Sequence, residues 1–167
     1  MTTRRTILAG LSLAPAVPLL TRAAWAGEVA TAEDKLETSR LVYLTPIKSN
    51  GDESKCKAEI WFAHEAGNVY VVTPPDAWRA QAVRQGLNRA RIWVGDFGNW
   101  TRSNGAFRDA PEFMATSSIE TDATVHARIL DVMGGKYAES GWSRWGPRFH
   151  EGLVDGSRVM IRYALDT

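Results

Sequence analysis

Thr73 closes an apolar run, Val69-Tyr70-Val71-Val72, and a Pro74-Pro75-Asp76-Ala77 link joins it to Trp78 and Arg79, with Arg84 and Arg89 further on. A hydroxyl and guanidinium groups gathered where a helix begins are the donors a phosphate needs. The cations supply charge-assisted hydrogen bonds, the hydroxyl fixes orientation, and the helix N-terminus adds partial positive charge. Lys55 and Lys57 share one face of a strand and can reach a common ligand. Trp61 and Trp78 offer flat apolar walls to an aromatic ring. The plainer roles of the same residues are a solvated arginine face, an edge strand guarded by lysines and core filling by tryptophan.

Other chemistries find less support. His64, His126 and His150 are far apart and none shows metal-ligand spacing. Cys56, the single cysteine, alternates with apolar residues, as a buried thiol does, and an internal disulfide is excluded. There is no Gly-x-Ser-x-Gly elbow and no Gly-x-Gly-x-x-Gly loop.

The elements that must position these residues follow from periodicity. Leu41 to Thr45 reads as a strand, and Lys48 to Asp52 as a turn carrying Asn50-Gly51. A return strand from near Lys55 places Cys56, Ala58, Ile60 and Phe62 on one face and Lys55, Lys57, Glu59 and Trp61 on the other. Glu65-Ala66-Gly67-Asn68 makes the next turn, and Val69 to Thr73, almost wholly apolar, is a strand buried on both faces. A helix over Asp76 to Gln85 ends at Gly86. Arg91 to Asp96 is a strand, Phe97 to Glu112 a hairpin with a surface loop, and Phe113 to Glu120 another strand. Thr121 caps a helix that runs from Asp122 to about Met133 and ends at Gly134-Gly135. Lys136 to Pro147 is an aromatic loop, Arg148 to Leu153 a helical turn, and Ser157 to Leu165 the last, half-buried strand. Near the start, Thr31 caps a short helix. Six or seven strands with two or three helices make an α+β domain, a small closed or split barrel.

The chain has 167 residues, 44% of them apolar, enough for one domain with a real core. Its net charge of +1 gives no electrostatic case for nucleic acid. Residues 1–26 read as an export signal: Arg4-Arg5, an apolar stretch too short to span a bilayer, and the Ala24-Trp25-Ala26 cleavage site. Thr3-Arg4-Arg5-Thr6-Ile7-Leu8 resembles the twin-arginine type. Cleavage removes Arg4, Arg5 and Arg22 and no acid, taking the net charge from +1 to about −2. The expectation is an exported, periplasmic protein without a stable membrane anchor, with residues 27–167 as one domain.

Val42-Tyr43-Leu44-Thr45, the turn at Lys48-Ser49-Asn50-Gly51, Ala58-Glu59-Ile60-Trp61-Phe62 and Val69-Tyr70-Val71-Val72-Thr73, with Ser157 to Leu165 as closing strand, resemble the FMN- and F420-binding split β-barrel superfamily of pyridoxamine 5'-phosphate oxidase-like proteins. The resemblance implies a small antiparallel split β-barrel. It also implies a cofactor phosphate held by Lys55 or Lys57, Thr73 and Arg79, with Arg84 in reserve. Trp61 or Trp78 would then stand beside the flavin. The implied cofactor is FMN, with F420 as alternative, and the implied activity is an oxidoreductase acting on a small molecule. The implied assembly is a homodimer with the cofactor between subunits. The alternatives are a barrel that binds a ligand without catalysis and no flavin, or a haem-handling barrel. This chain departs from the pattern in its acidic Asn50-Gly51-Asp52-Glu53 turn, in having no second basic residue beside Arg79, and in two segments without counterpart, Phe97 to Phe113 and Tyr137 to Trp145.

Overall fold

The computed structural model describes residues 32–166. The export signal and the Thr31 cap lie outside the described residues. Within them, α1 (residues 32–38) leads into seven strands: β1 (Val42–Pro46), β2 (Ala58–Ile60), β3 (Ala63–Glu65), β4 (Asn68–Thr73), β5 (Arg89–Val94), β6 (Glu112–Glu120) and β7 (Val159–Leu165). Three further helices are α2 (Trp78–Arg84), α3 (Ala123–Lys136) and α4 (Trp142–Asp155).

All pairings are antiparallel, in the order β2-β1-β5-β6-β7-β4-β3. That order puts β2 and β3 at opposite edges of the sheet, yet only Trp61 and Phe62 separate them in sequence. Three peptide links reach at most about 11 Å. The sheet therefore curls until its two edges nearly meet, and the wall is closed by covalent chain instead of a hydrogen-bonded ladder. This is an α+β half-barrel.

Period-two alternation sorts the strand residues into an inside and an outside. Val42 and Leu44, Val69 and Val71, Ala90, Ile92 and Val94, Ala115, Ile161 and Tyr163 form the interior, with Leu36 of α1 and Ala80 of α2 in the same cluster. The alternate residues Tyr70, Val72 and Met160 face outward and are covered by Ile129, Leu130 and Met133 of α3, with Phe149 and Leu153 of α4 beside them. Tyr43 and Trp93 face outward elsewhere and are covered by Phe107 from the segment before β6. Burying each Val, Leu, Ile, Met or Phe among them stabilises the fold by roughly 1.5–3 kcal/mol. The expected burial of β4 on both faces is observed.

Several expectations are corrected. The strand expected to run unbroken from Lys55 through Phe62 is interrupted at Trp61-Phe62, and Cys56, Ala58 and Ile60 are half-buried where a core face was expected. Phe97 to Glu112 forms turns and a 3-10 turn at Ala106–Asp109, with no hairpin. Asp122, not Thr121, caps α3: its carboxylate accepts the N–H groups of Thr124 and Val125. The helix passes through Gly134-Gly135 to Lys136, and Gly134 lets the Trp142 indole approach, since a Cβ there would lie 3.0 Å from its Nε1. The second half of the expected aromatic loop is the start of α4, which runs through Pro147, and a 3-10 turn at Ala138–Ser140 precedes it. Trp142, Phe149 and Leu153 recur at helical spacing on the covered side, and their burial outweighs the hydrogen bond that proline removes. Among the described residues there are four helices, where two or three were expected.

Candidate functional site

β4 delivers Thr73 to the end of the barrel wall, paired with Val159 of β7 and 1% exposed. The Pro74-Pro75 link cannot continue the ladder, and the chain turns into α2. At the second residue of α2, Arg79 reaches back and donates from Nη1 to Thr73 Oγ1 at 2.5 Å. Arg79 pairs with no carboxylate among the described residues. Its Nε is buried without a hydrogen-bond partner, and so is Nε1 of neighbouring Trp78. Two buried, unsatisfied donors at one junction are uncommon, because each forfeits its hydration without replacement. The helix contributes little: α2 has seven residues and no side-chain cap, so the arginine, not a helix dipole, provides the charge.

Tyr163 is buried in the barrel interior, and burial raises its phenol pKa. The Arg79 charge opposes that rise and Cys56 adds to it.

The remaining expected residues have separate placements. Lys57 donates to the Ser54 carbonyl at 3.1 Å and sits 3.3 Å from a Glu53 carboxylate oxygen. Glu53 also receives Arg108 at 2.7 Å, with Arg91 at 3.8 Å, and Arg108 holds its carboxyl below the usual range. Lys55 is exposed. Arg84 donates to the Pro75 carbonyl at 3.0 Å, alongside Gln81 at 2.6 Å. Trp61 stacks on Tyr137 with ring centroids 4.4 Å apart, on the outer wall beneath α3. The structure thus brings Thr73 and Arg79 into contact, with Trp78 beside Arg79 in sequence, and places Lys57 on Glu53, Arg84 on the Pro75 carbonyl and Trp61 on the outer wall. His64 contacts Glu37 at 2.8 Å and His126 contacts the Glu120 carbonyl at 2.9 Å. No metal-binding cluster occurs among the described residues.

A second feature had no signature in the sequence. Lys136 lies 3.5 Å from the Phe62 ring centroid and donates to the Leu36 carbonyl at 3.0 Å. Burial lowers its pKa to about 8. With Arg40, Gly135, Glu139 and Ser140 it lines an open cavity of about 450 Å³. Ninety-six residues separate Arg40 from Lys136, so no local spacing announces the cavity.

No family model matches the sequence, and no curated protein does. Solved structures match over most of the chain. The haem storage protein HutZ of Vibrio cholerae is 15% identical, with 83% of this chain and 89% of that one covered and a TM-score of 0.56. A FAD-binding protein of Mesorhizobium loti is 12% identical, covering 83% and 89%, with a TM-score of 0.53. A Listeria innocua protein named as a candidate pyridoxamine 5'-phosphate oxidase is 15% identical, covering 84% and 94%, with a TM-score of 0.52. At such identities the likeness establishes architecture alone: the chain has the split β-barrel fold that these structures share.

Proposed function

We propose that this protein binds a flavin, FMN in preference to F420, and anchors its phosphate at the β4–α2 junction. The observation that carries the reading is Arg79, a cation held only by a neutral hydroxyl, with a buried Nε that lacks an acceptor. A phosphate oxygen would supply both the missing acceptor and the missing counter-charge. Thr73 Oγ1 would fix the guanidinium in place, and Trp78 Nε1 is a further donor available to the ligand. Lys55, exposed to solvent, is a further source of positive charge. The named properties of similar folds, FAD binding in one and haem storage in another, agree with a barrel that holds a planar cofactor. A bound flavin would supply hydride transfer, which makes the protein an oxidoreductase for a small molecule. We further propose that it is exported to the periplasm and works as a homodimer.

The test is titration of the purified protein with FMN, followed by flavin absorbance near ~370 and ~450 nm through gel filtration. Co-elution of flavin with the wild type and its loss in Arg79→Ala is the expected result. Equal retention by Arg79→Ala would remove the phosphate assignment. A wild-type protein that retains no flavin would overturn the reading, and a band near ~400 nm after incubation with haem would favour the haem-handling alternative.

A further inference from the structure

Helix α4 carries its charges in the wrong order for a helix that stands alone. Arg144 and Arg148 lie in its N-terminal half, and Glu151 and Asp155 in its C-terminal half. The backbone dipole favours the reverse, acids first and bases last. Arg144 with Arg148, and Glu151 with Asp155, are also like-charged pairs four residues apart, which repel on a helix surface. All four side chains are exposed. None forms an ion pair among the described residues. The arginines lie near the Trp145 ring, 5.6 Å and 5.1 Å from its centroid, and Asp155 accepts the backbone N–H of Ser157.

At about 100° per residue, 144, 148, 151 and 155 fall on one narrow stripe. The stripe lies opposite Trp142, Phe149 and Leu153, which pack against the chain's own barrel. It is also symmetric in sequence. Arg144 and Asp155, and Arg148 and Glu151, are each centred on the point between Phe149 and His150.

We propose that α4 is a self-complementary docking surface for a second copy of this chain. Two α4 helices laid antiparallel about a twofold axis set Arg144 against the partner's Asp155 and Arg148 against the partner's Glu151. The axis repeats each contact, giving four opposite-charge pairs from one stripe, as an isologous interface requires. Each helix's dipole-opposed charges are compensated by the other copy. On one flank Val154, 89% exposed, comes beside the partner's Pro147. The contact is about 17 Å long at 1.5 Å per residue, shorter than a standard interface needs. The association is therefore weak and salt-sensitive. It does not rest on the flavin reading.

The experiment is sedimentation velocity at low and high salt on the wild type and two double variants. Arg144→Glu with Arg148→Glu makes the stripe wholly acidic, and Glu151→Arg with Asp155→Arg makes it wholly basic. Both changes follow the helix dipole, and circular dichroism checks that each variant keeps the wild-type fold. The wild type should show a self-association step that weakens on the order of tenfold or more as salt rises from ~20 to ~500 mM. Each variant alone should lose that step, and an equimolar mixture of the two should restore it as a mixed species. If the barrel also pairs through another face, the α4 contact is the salt-sensitive step to the next larger species. A wild type whose assembly ignores salt, or a mixture that forms no salt-sensitive mixed species, overturns the proposal.

Discussion

The phenol of Tyr137 occupies the gap that Phe62 leaves in the barrel wall. Where the edge strands part, the Phe62 N–H donates to Tyr137 Oη at 2.9 Å, and that hydroxyl lies 3.0 Å from the Phe62 carbonyl and 2.9 Å from the Arg40 carbonyl. One side chain thus satisfies backbone groups that a closed barrel would pair strand to strand. Burial raises the phenol's pKa, as expected for a hydroxyl sealed in protein, so it stays protonated and can donate.

Tyr137→Phe keeps the ring and its stacking on Trp61 while removing the hydroxyl. It strands a buried N–H at Phe62, and the expected cost is about 1–3 kcal/mol. Urea denaturation of the two proteins measures it. Equal midpoints and slopes would show that the seam does not depend on the hydroxyl.

Two glycines in the α3–α4 pair should respond oppositely to the same substitution. Gly135 lies in α3, and a Cβ added there would meet nothing within 4 Å, so Gly135→Ala should stabilise by up to about 1 kcal/mol through helix propensity. At Gly146 a Cβ would lie 2.7 Å from the Trp142 indole, a rigid ring fixed in the α3–α4 contact. Gly146→Ala should destabilise by about 1–3 kcal/mol despite the same gain in propensity. Thermal melts of the two variants give the signs directly.

The strands were legible because period-two alternation survives in each: Val69 and Val71 point in, and Tyr70 and Val72 point out. The Ala66-Gly67 turn was legible from its residue types, and both residues adopt positive φ. The break at Trp61-Phe62 was not, because the alternation runs on through it. What replaces the ladder there is Tyr137, 75 residues away from Phe62. Helix α4 was hidden by Pro147 and two internal glycines, local signals that lose to the burial of Trp142, Phe149 and Leu153. Of the candidate site, the Thr73–Arg79 contact could be read because six residues separate its partners. The capture of Lys57 by Glu53 depends on how the chain turns after Asp52, which residue types alone do not specify.

That capture leads to a ranking of ligand contacts. Lys57 is already neutralised, with its side chain 13% exposed, whereas Arg79 has no counter-charge. Arg79→Ala should weaken FMN binding by about 10–100-fold, the range of one charge-assisted contact of roughly 1.5–3 kcal/mol. Lys57→Ala should change it by less than about threefold, within the range of a surface charge. Fluorescence titration of flavin distinguishes them. A larger loss from Lys57→Ala would mean that the lysine leaves Glu53 when ligand binds.

Lys136 sets a pH dependence whose direction can be worked out. Burial lowers its pKa to about 8 in the folded chain, with Glu37 and Asp96 opposing the shift, against about 10.4 when unfolded. Below about pH 8 both states hold the proton, and the full cost of burying the charge is present. Between about pH 8 and pH 10.4 the folded state releases a proton that the unfolded chain keeps, so stability rises with pH. Above about pH 10 the buried phenols of Tyr137 and Tyr163 act in the opposite direction, because the folded state keeps protons that the unfolded chain loses. Lys136→Met removes the first effect and leaves the second. The stability of the wild type minus that of Lys136→Met should therefore climb from about pH 8 to pH 10 and then level off. Urea midpoints for both proteins across that range provide the check. A difference that stays flat would mean that the ammonium over Phe62, with its bond to the Leu36 carbonyl, keeps its proton as firmly as a lysine in water.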